Sequence, residues 1–490
     1  MKKLRFKDTE LFGIAVASGL TGLIVDDWIG GAAIVVLWLG AKLLITGDRV
    51  PVLFLAFLYQ WMQVTVGVFY FGFLGRAVPT VYLSDYRPMV LIGLGCVLSI
   101  AVGIRAGIAL VRKRMAAVSD EARPVEFLSW PLLLTAYGVG VVFEGSLVYF
   151  SGAYPSLRQV FLTFTVVRMG LLFLIFRRLS HPTFHWVQFT LLMSFEVALG
   201  FTGFFAGFRE PLALGVMALL EIFNYRRASH LVTVAGMLAA MAVASVVWMG
   251  VRDSFRRDFT EVDAFSKSQG ARMDRISSLG SGFLRSDFSE FVESTDKLID
   301  RQWAVYYPAL AVARVPSVIP HTDGSIALAA VKHALAPRMF LPSKAELISD
   351  SEMVRKYSGV WVAGRDQGTS IAFGYAVEMF VDFGVPIMFL PVVIFGLLTG
   401  AAYGGFNRII RHRELAVATM TVVFWLSLYA FERSAANMLG FELSYVVYLG
   451  TPAILLDRFL LMKGKAVRPS NVAYAVHTAS EAMPVVDRLR

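Results

Sequence analysis

Long apolar runs, separated by short charged or turn-forming segments, recur along most of the 490-residue chain. Most runs approach the roughly 17 to 25 residues that a helix needs to cross a bilayer core. The pattern predicts an all-α polytopic membrane protein with about twelve transmembrane helices. The predicted spans are 11–25, 29–46, 51–73, 88–111, 127–149, 159–176, 186–206, 211–224, 230–250, 385–406, 415–431 and 441–460.

The loops between these runs carry their basic residues unevenly. Clusters at 112–114, 177–178 and 226–227 fall in alternate loops. The short loops on the opposite side hold only five arginines: Arg76, Arg87, Arg158, Arg209 and Arg433. Because basic loops tend to stay in the cytoplasm, the alternation predicts that both termini are cytoplasmic and that the loops with these five arginines face outward.

One long segment, 251–370, interrupts the series and is predicted to be a large periplasmic loop. Its first half mixes aromatic and charged residues and predicts amphipathic helices along the membrane surface. Two apolar stretches of its second half, 303–315 and 325–336, are too short to span, which predicts re-entrant helices at the outer mouth of the bundle. The predicted organisation is a bundle over 1–250, the loop over 251–370, further spans over 371–460 and a flexible cytoplasmic tail over 461–490.

The amino-acid composition is also typical of a protein that is largely surrounded by lipid. Hydrophobic residues make up 57% of the chain and charged residues 17%, below the roughly 25% of soluble domains. The net charge of +10 follows the loop pattern and therefore indicates topology, not a nucleic-acid partner. Cys96 is the only cysteine, so neither an intramolecular disulfide nor a cysteine metal site is expected. No motif for ATP hydrolysis, cytoplasmic nucleotide-sugar transfer or zinc proteolysis is present, and no cofactor or metal is expected.

Several cations could bind an anion at the outer face. Arg209 precedes Pro211, which suits the first position of a helix, and an arginine beside a helix N-terminus can hold a lipid diphosphate. A snorkelling anchor is the alternative role for Arg209. The other candidate cations are Arg256, just after the span 230–250, and Arg338, Lys344, Arg365 and Arg433. Solvation or pairing with acidic residues of the loop is the alternative for these.

Four residues could transfer a proton. Glu378 and Asp382 are four apart, hence on one face of a helix, and apolar sequence around them predicts burial. A buried carboxylate could act as a general base, and pairing with Arg365 or Arg433 is the competing structural role. His321 and His333 lie in the large loop without metal-ligand spacing. The charges within spans, Glu144, Glu196, Glu221, Arg105 and Arg168, are expected to pair with one another.

Three stretches together resemble the oligosaccharide repeat-unit polymerases of the Wzy type, which share features with O-antigen ligases. In 203–227 a Phe-rich run ends at Arg209 and a short apolar run follows to a basic loop. In 336–344 the sequence Ala-Pro-Arg precedes Pro-x-Lys, and 374–384 ends Glu-Met-Phe-Val-Asp-Phe-Gly. The chain departs from the family where Phe-Arg-Glu-Pro replaces the usual Ser-Arg-Gly, and where Phe380 replaces a common tyrosine.

The resemblance implies a multi-pass protein of the bacterial inner membrane that works without metal or nucleotide. It would move a growing glycan from undecaprenyl diphosphate onto a new lipid-linked repeat unit at the outer leaflet. The six candidate cations would bind the diphosphate, and Glu378 would be the first choice of base, ahead of Asp382, His321 and His333. Lipid-linked oligosaccharide, membrane lipids, a chain-length regulator and a flippase would be its partners.

Two other functions stay open at this stage. An O-antigen ligase would use the same donor but transfer glycan to lipid A core. A flippase or transporter of lipid-linked oligosaccharide would need polar residues across the bilayer and usually internal repeats. The charges of this chain gather toward one face, which disfavours transport.

Overall fold

The computed structural model describes residues 7–25, 27–45, 51–76, 85–114, 128–180, 184–201, 207–221, 223, 228–258, 288–336, 341, 344, 346–364, 367 and 370–466. Within these ranges every regular element is a helix and none is a strand. The predicted all-helical class is therefore confirmed for the described part of the chain.

The helices up to the large loop are α1 Asp8–Val25, α2 Trp28–Leu44, α3 Val52–Phe73, α4 Arg87–Arg114, α5 Trp130–Ala153, α6 Arg158–Thr165, α7 Val167–Ser180, α8 Trp186–Phe201, α9 Arg209–Glu221 and α10 Ala228–Asp258. The helices from the large loop onward are α11 Phe288–Gln302, α12 Tyr306–Arg314, α13 Ser325–Leu335, α14 Asp350–Ser358, α15 Tyr375–Phe383, α16 Phe389–Ile409, α17 Arg413–Leu428, α18 Ala435–Tyr445 and α19 Thr451–Ala466. A π-helical turn, Val446–Gly450, joins the last two.

In the described chain each of the twelve predicted spans overlaps helical sequence, but 159–176 covers two helices, α6 and α7, and 441–460 runs from α18 through the π-helical turn into α19. Eight helical segments of the described chain are both long and apolar enough to cross a membrane. They are Asp8–Val25, Val52–Phe73, Arg87–Lys113, Trp130–Ala153, Pro155–Ser180, Ala228–Gly250, Phe389–Ile409 and Ala435–Met462. The helices α2, α8, α9 and α17 are shorter. At 1.5 Å per residue, the 13 residues of α9 reach about 20 Å, less than the roughly 30 Å of a hydrocarbon core. The structure thus supports a polytopic helical membrane protein, and the count of twelve remains a prediction.

Ion pairs between arginines and carboxylates are found at both ends of the helices. At one end Arg177 binds Glu221 and Arg178 binds Glu414, at 2.6 Å in both cases. At the other end Arg87 binds Asp27 and Arg301 binds Glu432. The described part of the large loop packs at this second end: the Tyr70 hydroxyl near the end of α3 donates to Asp296, and α13 packs against α18. Which end faces outward remains a prediction.

The predicted organisation needs adjustment at its boundaries. The boundary at 250 falls inside one continuous helix, α10, because helical sequence continues through the basic cluster to Asp258. The segment after 370 begins with α15, a nine-residue helix that packs against loop helices α12 and α13 before the span α16 starts. The last helix extends to Ala466, and the rest of the predicted tail lies outside the described residues.

The large loop is fastened to the bundle by Trp303, which follows α11. Its side chain is 1% exposed, and its indole N–H donates to the Val64 carbonyl oxygen at 2.9 Å. The ring fits against α3 because residue 67 is glycine: a Cβ there would lie 2.1 Å from the indole. Val64 is nine residues before the end of α3, which places the indole about 13 Å below that end. The Trp303 indole therefore lies beside the interior of α3, and a re-entrant course for 303–315 remains a prediction.

Trp303→Ala is expected to loosen the loop and to lower the free energy of unfolding by about 3–5 kcal/mol, since a large buried ring is lost. Limited proteolysis within 288–364 and the thermal midpoint in detergent measure the effect. Trp361→Ala is the matched control, because the Trp361 ring is 71% exposed in the same loop. Proteolysis of the Trp303 variant at the rate of this control would contradict the assignment.

Candidate functional site

The short helix α15 lies where the large loop meets the bundle. It is bracketed by Gly374 and Gly384, both with positive φ, and a Cβ on Gly374 would lie 2.5 Å from the Phe431 carbonyl oxygen. The Tyr375 backbone N–H donates to the Arg433 carbonyl oxygen at 2.8 Å. Every residue from Tyr375 to Asp382 is buried, so the two carboxylates of this helix are held in fixed positions.

The two carboxylates of α15 each bind the beginning of another helix. Asp382 accepts hydrogen bonds from the Thr322 hydroxyl and from the backbone N–H groups of Ile326 and Ala327, the latter at 2.7 Å. Glu378 accepts one from the backbone N–H of Ala435 at 2.6 Å, at the N-terminus of α18. Carboxylates are favourable at helix N-termini, so α15 anchors α13 and α18 side by side.

A cavity of about 290 Å³, the acidic cleft, lies between these helices. That volume is close to the roughly 300 Å³ at which small-molecule sites begin. The described residues that line it are Thr322, Ser325, Ile326, Ala329, Ala330, His333, Glu346, Leu347, Ile348, Ser349, Asp350, Met353, Lys356, Tyr357, Glu378, Ser434, Ala436 and Asn437. Asp350 stands at the start of α14, where Ser349 and Glu352 form a capping box, and accepts a hydrogen bond from the Asn437 amide at 3.3 Å.

Glu378 is the most deeply buried acid that lines the cleft, with 6% of its surface exposed. Burial raises its pKa from 4.5 to about 8. The Ala435 N–H lowers that pKa, while the charges of Asp350 and Asp382 raise it further. A carboxyl group whose pKa is near neutrality can act as a general base or acid, and Glu378 combines this property with access to a cavity.

The free energy of unfolding is expected to fall as the pH rises from about 5 to about 9. The folded chain keeps the Glu378 proton up to about pH 8, whereas the unfolded chain releases it near 4.5. Because the folded state binds the extra proton in this window, its stability decreases by up to about 1.4 kcal/mol per pH unit. Thermal midpoints of the wild type and of Glu378→Gln, measured across this range, test the effect. The glutamine is neutral throughout, so equal pH slopes in both proteins would contradict it.

The histidines and Lys344 lie around α13. His333 is half-buried and lines the cleft, whereas the His321 ring lies against Phe380 with Nδ1 3.2 Å from the Val381 carbonyl oxygen. The Lys344 ammonium donates to the carbonyl oxygens of His333 and Ala336. Lys344 therefore caps the C-terminus of α13, a structural position for a residue predicted to bind diphosphate.

Arginines and tyrosines form a second group, the tyrosine–arginine cluster, of Tyr59, Arg209, Glu210, Tyr429 and Arg433. The two tyrosine rings meet edge to face with centroids 5.7 Å apart. Both tyrosines interact electrostatically with Arg209 and Glu210, and the Tyr59 hydroxyl donates to Gln302 Oε1 at 3.1 Å. Arg209 is half-buried at the start of α9, the position that the sequence predicts.

The Arg433 side chain stands over two aromatic rings at this cluster, 5.3 Å from the Tyr429 centroid and 4.7 Å from that of Phe441. It donates to the carbonyl oxygens of Leu426 and Ser427, at the end of α17. Arg433 therefore caps the C-terminus of α17, and no ion pair with Glu378 is found among its described contacts; its role as a diphosphate ligand remains a prediction. Arg433 is followed by Ser434, which lines the cleft, and by Ala435, whose backbone N–H donates to Glu378, so one turn of the chain joins the two groups.

Of the other predicted site residues, Arg338 and Arg365 lie outside the described residues. Arg256 belongs to the described backbone of α10, and its side chain is outside the description. Among the described residues, no group of three or more His, Cys, Asp or Glu side chains could hold a metal ion. The expected pairing of charges within the spans is found at Arg168, which lies 2.5 Å from Glu196 and 3.3 Å from Glu144.

Several residues of the site are absent from the sequence-based prediction. Tyr59, Tyr429, Asp350 and Asn437 lack a motif of their own. A signal exists in α3, where Gln60 and Gln63 interrupt an apolar run. Gln60 accepts a hydrogen bond from the Tyr375 hydroxyl at 2.8 Å, and Gln63 accepts one from the Phe431 N–H. Two polar residues three apart on an apolar helix thus indicate the face that holds the site.

Comparisons of the chain with protein-family models, with curated proteins and with solved structures find no match. The resemblance to the repeat-unit polymerases therefore stays a prediction.

Proposed function

We propose that the chain is an oligosaccharide repeat-unit polymerase, a glycosyltransferase that needs no metal and uses a donor linked to undecaprenyl diphosphate. The observation that carries the proposal is Glu378, a buried carboxyl group with a pKa near 8 that lines a polar cleft; Arg433 directly precedes Ser434 of the same cleft. Such an arrangement supplies a base on one side and diphosphate-binding cations on the other.

In the proposed reaction, a hydroxyl oxygen of the acceptor sugar attacks the anomeric carbon of the donor while its proton passes to Glu378. The bond between that carbon and the diphosphate oxygen breaks, and the lipid diphosphate leaves with the electron pair. Arg209 and Arg433 stabilise the negative charge that develops on the leaving oxygen. Glu378 then releases its proton to water. No nucleotide is needed, because the donor already carries its leaving group.

The remaining candidates take different places in this proposal. Asp382 positions α13, since all three of its hydrogen bonds go to that helix and to the turn before it. Lys344 caps the C-terminus of the same helix. His333 lines the cleft and remains a candidate for proton transfer to a bound ligand, whereas His321 packs outside the cleft. Arg256, Arg338 and Arg365 remain proposed diphosphate ligands on sequence grounds alone.

The proposed setting is the outer leaflet of the bacterial inner membrane, with membrane lipids around the bundle. A flippase would supply the lipid-linked repeat units, and a chain-length regulator would act on the product.

Deletion of the chain in its source cells tests the proposal. The expected result is an accumulation of lipid-linked single repeat units at the outer leaflet, accessible to a sugar-modifying enzyme added from outside. Accumulation at the inner leaflet would instead indicate a flippase. Long glycan still attached to its lipid carrier would indicate a ligase, and either result would overturn the proposal.

A further inference from the structure

Two glutamines of α3 hold the segments that carry the proposed base and one proposed cation. The Gln60 side-chain N–H donates to the carbonyl oxygen of Leu428, the last residue of α17, and Gln60 Oε1 accepts from the Tyr375 hydroxyl at 2.8 Å. Gln63 Oε1 accepts from the Phe431 backbone N–H at 2.7 Å. The helix α3 therefore binds the start of α15, the end of α17 and the turn that follows it.

Two further hydrogen bonds close this arrangement into a ring. The Tyr375 backbone N–H donates to the Arg433 carbonyl oxygen at 2.8 Å, and the Ala435 N–H donates to Glu378 at 2.6 Å. The proposed base lies one helical turn after Tyr375 on α15, and Arg433 lies on the segment that follows α17. Both groups are thus positioned through hydrogen bonds that begin on α3.

The polar groups of this ring lie in an apolar interior. Gln60, Gln63 and Tyr375 are all buried, so water does not replace a hydrogen bond that is lost. The Tyr375 ring also packs edge to face on Phe431, with ring centroids 5.5 Å apart. Because two buried hydrogen-bonding partners can often be exchanged for apolar groups at little cost in stability, packing alone does not require the pair of Gln60 and Tyr375.

We propose that Gln60 and Tyr375 are positioning residues that hold Glu378 in the place where it can act on a bound hydroxyl group. The inference rests on the proposed function, in which Glu378 is the base. A base must lie within about 2.6–3.2 Å of the group whose proton it takes, and a displacement of about 1 Å can lower a rate by about 10²-fold. The hydrogen bond between Tyr375 and Gln60 fixes the first turn of α15 and so prevents such a displacement.

Tyr375→Phe tests this role with the smallest change, since it removes one hydroxyl group and keeps the ring. The kcat for lengthening of lipid-linked repeat units is expected to fall about tenfold, with KM within about twofold of the wild type, because binding groups are unchanged. Gln60→Leu is expected to lower kcat at least as much, since it also removes the bond to Leu428. The double variant should lose no more than Gln60→Leu alone, because both substitutions remove the same hydrogen bond.

Tyr137→Phe is the matched control. Tyr137 is also buried, and its hydroxyl donates to Glu196 between α5 and α8, away from α15. Its variant should retain the wild-type kcat. Rates are compared at equal amounts of folded protein, so that a change in stability alone does not lower kcat.

Infrared spectroscopy in detergent provides a readout that involves no transfer reaction. The C=O band of the protonated Glu378 carboxyl group is assigned by its loss in Glu378→Gln and is followed against pH. Burial raises the pKa of Glu378 to about 8, and the Ala435 N–H lowers it. A displaced Glu378 loses part of that hydrogen bond, so in Tyr375→Phe its acid dissociation constant is expected to be at least about threefold smaller. In Tyr137→Phe the titration should match the wild type.

An unshifted Glu378 band in both Tyr375→Phe and Gln60→Leu would overturn the inference, and so would a kcat within about twofold of the wild type in both. A shifted band in a chain that does not lengthen glycan would overturn only the proposed function. Lengthening by the wild type, combined with an unshifted band in the variants, would overturn only the inference.

Discussion

Glu378→Gln is expected to leave the chain folded in the membrane and to slow glycan transfer by about 10²- to 10⁴-fold, the usual contribution of a general base. Glutamine has nearly the same volume, and its amide oxygen can still accept the hydrogen bond from Ala435. The amide cannot take up a proton, so the acceptor hydroxyl loses its base. The initial rate at which the purified protein lengthens lipid-linked repeat units measures the effect.

Glu442→Gln is the control for this substitution. Glu442 is also a buried carboxyl group, but it accepts a hydrogen bond from the Thr399 hydroxyl at 2.8 Å and does not line the acidic cleft. Its variant should lengthen glycan at close to the wild-type rate. A Glu378→Gln rate within about threefold of the wild type would contradict the role of base, as would equal losses in both variants.

Arg209→Ala is expected to lower the transfer rate by about 10²- to 10³-fold, since one group that stabilises developing negative charge is removed. Arg209→Lys keeps the charge but not the planar donor pair of the guanidinium, so it should retain an intermediate rate. Both rates are compared at equal amounts of protein in the membrane, and accumulation of single lipid-linked units provides the second readout.

The control for Arg209 is Arg76→Ala, because Arg76 is an exposed arginine at the same end of the bundle and lies 3.7 Å from Asp296. It should transfer glycan at the wild-type rate. Long glycan of normal amount in the Arg209→Ala variant would contradict the assignment of the tyrosine–arginine cluster to the diphosphate. The lysine variant guards against misfolding, since it leaves the buried Glu210 carboxylate beside a cation.

Helix positions could be predicted from the sequence because lipid exposure and helix length are both local properties. The predicted span 51–73 matches α3, and 88–111 lies within α4. Burial of Glu378 could also be predicted, since apolar residues surround it on its own helix. The number of membrane spans could not be predicted from the sequence. Helices such as α9 are apolar but shorter than the bilayer core, and length alone does not show whether such a helix crosses it.

The assembly of the site depends on contacts between distant parts of the chain, which no local pattern contains. Tyr59 and Tyr429 meet across 370 positions. The Trp303 ring can pack against α3 only because residue 67 is glycine. Asp382 has the spacing of a catalytic partner for Glu378, yet its hydrogen bonds go to the start of α13, a segment some 55 residues earlier. Lys344 is different, since a cation shortly after a helix could have been predicted to cap its C-terminus.

Lengthening of lipid-linked repeat units by the purified chain tests the central claim most directly. The detergent-solubilised wild type receives single lipid-linked units as the only substrate, with a chelator and without nucleotide. The account predicts products of two, three and more units, with one lipid diphosphate released for each new linkage, and no such products from Glu378→Gln. Two results with the wild type would contradict this account. The repeat units could remain single while they cross vesicle membranes, or they could be transferred only to added lipid A core.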